Sequence, residues 1–232
     1  MLGTRHRATG TRHPSLRLAA LTVVLLGLAV LAVQVMGLAF VLAGLSPLAA
    51  GAVCAASLLG SRIDIPVARM RSRPAAVRFR TLAWAGTLYL IPVSEGGSIV
   101  VAVNLGGAVI PAAVSLYLAA RTGMWLDAGM AVTAVAVTAH LLARPEPRLG
   151  IVLPPLLPAL TAAAAAVLLH PAQGIGALAY IAGTMGTLVG ADLTHLNAVR
   201  RMDGPKASIG GAGTFDGVFL SGVFAVLLAA VR

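Results

Sequence analysis

The chain has 232 residues, of which 59% are hydrophobic, 10% charged and 4% aromatic, with a mean hydropathy of +0.94. These values lie outside the range of soluble domains and describe an integral membrane protein. The formal net charge of +10 comes from basic residues bunched between apolar runs, with few aromatic side chains to stack on bases. It therefore points to membrane orientation and argues against a nucleic-acid partner.

Residues 1–17, "MLGTRHRATGTRHPSLR", form a basic cytoplasmic tail. The apolar run from Leu18 to about Phe40 is longer than a secretory signal core and is followed by no convincing cleavage site, so it reads as a retained anchor. From 18 to 232 we expect a single transmembrane domain. A second span covers 42–60 after the break "GLSP", and the Arg-rich stretch "SRIDIPVARMRSRPAAVRFR" follows it. Cys54 has no second cysteine to pair with, and the five histidines lack ligand spacing. No disulfide, metal site or cofactor is expected.

"TLAWAGTLYLIPV" (81–93) is apolar but short of the roughly 20 residues a crossing helix needs. With the turn signal "SEGG" and the β-branched "SIVVAV" after it, 81–98 reads as a β-hairpin at the membrane surface, within a cytoplasmic region at 61–99. The alternative is that 81–93 crosses the bilayer. In the hairpin reading all 17 Lys and Arg except Arg121 and Arg232 lie in the cytoplasm. A crossing would move Arg144, Arg148, Arg200, Arg201 and Lys206 outside. The positive-inside rule favours the hairpin. Spans then fall near 18–40, 42–60, 100–120, 126–143, 150–169, 174–196 and 209–231. The expected fold class is all-α, a bundle of about seven helices with one short β-hairpin. It would sit in the cytoplasmic (inner) membrane, N-terminus in the cytoplasm and C-terminus outside.

Five acids, Asp64, Glu95, Asp127, Glu146 and Asp203, fall in loops or turns by this reading. Asp192 and Asp216 fall inside spans, where an ionised carboxylate costs about 2.5–3.5 kcal/mol. They lie equally far in sequence from Gly204 of the turn "DGP". In an antiparallel helix pair both would sit roughly 12 Å from the cytoplasmic edge and could meet. Gly183, Gly186, Gly190, Gly210, Gly211, Gly213 and Gly217 allow close approach, either as a packing seam or as an unwound segment facing a cavity. Asn104, Thr187, His195 and Thr214 map to similar depth.

"VAVNLGGAVIP" (101–111), "GTLVGADL" (186–193) and "ASIGGAGTFDGVFL" (207–220) resemble an uncharacterised bacterial and archaeal family of multi-pass membrane proteins. That resemblance implies a shared architecture and no activity. "GADL" and "GAGTFDGVFLSG" also resemble, in order and flanking residues, the two aspartate motifs of the diaspartyl intramembrane proteases, the presenilin and signal-peptide-peptidase type. This second resemblance implies that Asp192 and Asp216 are the catalytic pair, with Gly211 and Gly213 supplying the glycine motif. Thr214 and Phe215 intervene between the last glycine and the acid, and Ala191 stands where tyrosine is usual.

Two adjacent carboxyls cannot both ionise cheaply, so one would keep a proton and the other activate water. The leading expectation is an intramembrane aspartic endopeptidase that acts on a transmembrane protein and is surrounded by membrane lipids. Asp192 and Asp216 would be catalytic, and Asn104, Gly211, Gly213 and Thr214 would contact substrate. The rivals are a proton- or cation-coupled transporter using the same acids and a non-enzymatic scaffold whose Arg-rich loop binds anionic lipid. Oligomeric state leaves no trace in the sequence.

Overall fold

The computed structural model describes residues 14–71, 78–84, 87–93, 98–146, 150–169, 174–199, 206–211 and 217–231. Its chain divides into two units, Met1–Met36 and Gly37–Arg232. The first holds most of α1 (Pro14–Leu42), whose leucine and valine side chains from Leu18 to Val33 stay exposed, as suits a surface that meets lipid. The second unit holds all the remaining elements.

After α2 (Pro47–Gly60) the chain turns into strands: β1 (Asp64–Arg71), β2 (Arg78–Trp84), β3 (Thr87–Val93) and β4 (Ser98–Asn104). A π-helical segment, π1 (Leu105–Val109), leads into α3 (Ile110–Thr122), and α4 (Trp125–Leu142) follows. β5 (Arg144–Glu146) and β6 (Gly150–Val152) pair with each other before α5 (Leu156–Leu169). Then come α6 (Ile175–Thr187), a second π-helical segment π2 (Leu188–Leu193), α7 (Leu196–Val199), β7 (Lys206–Ile209) and α8 (Gly217–Ala230).

α6 is the centre of the bundle and packs against α3, α4, α5 and α8. Its side chains from Ala177 to Thr184 are all buried. Close approach accounts for this: Gly183 lies against the Ser221–Gly222 backbone of α8, and Gly190 in π2 lies against the Ala136 backbone of α4. Phe40 fills the space beside Tyr180 at a ring separation of 5.4 Å. The segments Leu21–Leu42, Leu105–Thr122, Trp125–Leu142 and Ile175–Leu193 are long and apolar enough to cross a membrane, and α2, α5 and α8 are shorter apolar helices. The protein is thus a membrane protein built around a helix bundle.

The expectation of an all-α chain needs correcting. A three-stranded sheet in the order β1-β4-β7 stands beside the helices, with β1 antiparallel and β7 parallel to β4. The hairpin is also different from the one expected. β3 pairs with β2, from Arg78↔Val93 to Trp84↔Thr87, and not with "SIVVAV". That run is β4, the central strand, and its partner β1 comes from the Arg-rich stretch. Pro66 is accommodated because β1 is an edge strand whose register shifts between Pro66 and Ala68. The spans expected at 100–120 and 209–231 each open on a strand instead, since Ser98–Asn104 and Lys206–Ile209 are strands.

Candidate functional site

The sheet brings the site together. Ile99 and Val101 alternate to one face of β4 and, with Val199, form a buried cluster against Leu196, Ile151, Ala207 and Ile209. α7 follows π2 closely, so burying Leu196 and Val199 beneath the sheet draws β7 toward Asp192. The contact is direct: the Gly210 N–H donates to Asp192 Oδ2 at 2.8 Å. Asp192 is half-buried in π2, a widened helical turn of the kind often found at functional sites.

Asp64 was expected in a solvated loop. Instead it opens β1, with its side chain 20% exposed, and organises the polar side of the sheet. Asp64 Oδ1 accepts from Asn104 Nδ2 at 2.9 Å and from Ser208 Oγ at 2.6 Å. Lys206 Nζ donates to Asp64 Oδ2 in an ion pair. Burial alone would raise the Asp64 pKa, but the Lys206, Ser208 and Asn104 donors outweigh it and hold the carboxyl below its ordinary value. These bonds cross from β1 to β7 and fix the strand that leads into Gly210.

Asn104 is 2% exposed and caps π1. Its Nδ2 also donates to the Ser61 carbonyl at 2.7 Å, and its Oδ1 accepts from the Gly107 N–H at 2.8 Å. Both amide hydrogens are therefore engaged by the chain itself. Gly107 lies directly beneath the Gly210 carbonyl, where a methyl group would collide with backbone. Gly210 has φ +65°, which favours glycine, and Gly211 packs against Ser208 and the Asn104 Cβ.

Of the expected site residues, Asp192, Asn104 and Gly211 thus converge on Gly210. Gly213, Thr214 and Asp216 lie outside the described residues, immediately before α8. Beyond Asp192, Thr194 Oγ1 lies 2.8 Å from His140 Nδ1 and 3.2 Å from His195 Nδ1, and the two imidazole rings are 4.7 Å apart. His195 Nδ1 also lies 2.9 Å from the Ala191 carbonyl oxygen. In the helical layer, the buried Ser221 hydroxyl of α8 donates at 3.3 Å to the Pro155 carbonyl, which also accepts from the Ala159 N–H at 3.2 Å.

Sequence reasoning missed Asp64, Lys206 and Ser208. The available signal was that Asp64 is the one acid in a basic stretch, and that Lys206 and Ser208 alternate along a strand just before the glycines.

Residues 58–228 match a family described as a protein of unknown function, DUF1614. No curated protein and no solved structure matches the chain.

Proposed function

We propose, for a chain that belongs to the DUF1614 family of proteins of unknown function, that it is an intramembrane aspartic endopeptidase with Asp192 and Asp216 as its carboxyl pair. The observation that carries this reading is the Gly210 N–H bond to Asp192 Oδ2. It ties the first acid to the glycine segment that continues to the second. A further feature supports it. β7 pairs with β4 along one side only, and among the described residues no strand covers its other edge. An extended substrate segment can add there by main-chain hydrogen bonds, which unwinds a transmembrane helix and delivers its peptide bond beside the acids.

The chemistry asks little else of the chain. The ionised carboxylate takes a proton from water as the water oxygen bonds to the peptide carbonyl carbon, and the protonated carboxyl gives its proton to the carbonyl oxygen. Collapse of the resulting gem-diol breaks the C–N bond as the nitrogen is protonated, leaving a carboxylic acid and an amine. Asp64, Asn104, Lys206 and Ser208 would act as positioning residues that hold β7 and Gly210.

The test is cleavage of a transmembrane reporter by the purified protein in liposomes. Asp192→Asn and Asp216→Asn should each lower cleavage by at least about a hundredfold, the lower end of what a positioned acid or base contributes. Cleavage persisting in both variants would refute the assignment. Acid-dependent solute uptake without cleavage, lost in either variant, would replace it with transport.

A further inference from the structure

We infer that the groove between α2 and α3 binds one anionic phospholipid, with its phosphate at Arg121 and an acyl chain along the groove. The groove is open along one side and offers about 870 Å³, within the roughly 300–1,000 Å³ of small-molecule sites. Val53 of α2 and Ile110, Ala113 and Val114 of α3 give it apolar walls; Arg121, in the last turn of α3, and Ser46, the N-cap of α2, stand at one end, its mouth, with Tyr117 a turn further in.

Arg121 belongs to the last turn of α3, at the end of the membrane-length segment Leu105–Thr122. That end is the depth at which hydrocarbon gives way to headgroups. Arg121 Nη1 donates to the Gly44 carbonyl at 2.5 Å, which holds the guanidinium across the mouth. An arginine has five N–H donors, so the others remain for the oxygens of a phosphodiester. The N-terminus of α2 opens at the same mouth, with Ser46 Oγ accepting from the Ala49 N–H, and adds partial positive charge. A cation at the bilayer edge above an apolar channel is complementary to an anionic headgroup joined to an acyl chain. A free phosphate would leave the channel unfilled, and a zwitterionic lipid would bring its own cation toward Arg121.

The experiment uses the full chain purified in detergent, incubated with an equimolar mixture of phosphatidylglycerol and phosphatidylcholine and read by native mass spectrometry. Wild type should retain one phosphatidylglycerol in preference. Arg121→Gln should reduce that preference about tenfold, as expected for losing one charge-assisted hydrogen bond, and Arg121→Lys should keep most of it. Ala113→Phe, a change at an exposed wall position, should reduce retention of both lipids. The chain-free headgroup glycerophosphoglycerol should displace nothing. Equal lipid preference in wild type and Arg121→Gln would overturn the inference, as would undiminished retention in a folded Ala113→Phe variant. Displacement by the chain-free headgroup would also overturn it, by showing a site for free anions.

Discussion

Asp64 and Asn104 hold β7 in place through side chains rather than backbone alone. Asn104→Leu would leave the Ser61 carbonyl and the Gly107 N–H without the partners they now have, in a site that is 2% exposed. We expect a loss of about 2–3 kcal/mol, measured by thermal or denaturant unfolding in micelles. The Asp64 contribution depends on pH in a definite direction. Its pKa in the folded chain lies below the ordinary 3.8, so its contribution is complete above that value and fades as pH falls through the lower folded value. Wild type should therefore lose stability on acidification below about pH 4, and Asp64→Asn, weaker throughout, should lack that part of the decline. An unfolding curve that declines equally in both proteins would remove Asp64 from this role.

Among the elements, the contact between π1 and the β7 turn is the narrowest tolerance in the site. A methyl at Gly107 meets the Gly210 carbonyl oxygen, which is backbone and cannot swing aside. Gly107→Ala should therefore cost about 1–3 kcal/mol by overpacking and should also lower reporter cleavage, because Gly210 is the donor to Asp192. A stable and fully active Gly107→Ala variant would contradict the arrangement. The same elements explain what the sequence made legible. The helical runs at 126–143 and 174–196 were visible because uninterrupted apolar stretches of that length have one stable solution in lipid, and α4 (Trp125–Leu142) and α6 with π2 (Ile175–Leu193) match them. "SIVVAV" was legible as a strand from its β-branched residues. Its partner was not, because pairing is chosen by tertiary packing: β1 is rich in arginine and interrupted by Pro66, a pattern that local reading assigns to a loop. Lys206–Ile209 is too short to show its own periodicity, and it is a strand because Ala207 and Ile209 join the cluster under β4.

For the whole molecule, hydropathy points to a membrane, and the charge distribution predicts that the N-terminus and β5, with Glu146, lie on the cytoplasmic side. Cys54 is buried and the chain has no other cysteine, so Cys54→Ser with Glu146→Cys provides a single reporter thiol. In sealed inverted vesicles, whose cytoplasmic face is outward, that thiol should react with a membrane-impermeant maleimide, and in intact cells it should be protected. The reverse pattern would invert the topology. The proposed pairing of Asp192 with Asp216 can be checked without any substrate. In a Cys54→Ser background, Asp192→Cys paired with Asp216→Cys should close a disulfide on oxidation, which requires Cα atoms about 4.4–6.8 Å apart, or be bridged by the short thiol cross-linker dibromobimane. Asp127→Cys paired with Asp216→Cys should do neither. Failure of the first pair to cross-link in folded protein, under conditions where each thiol reacts singly, would show that the two acids do not meet.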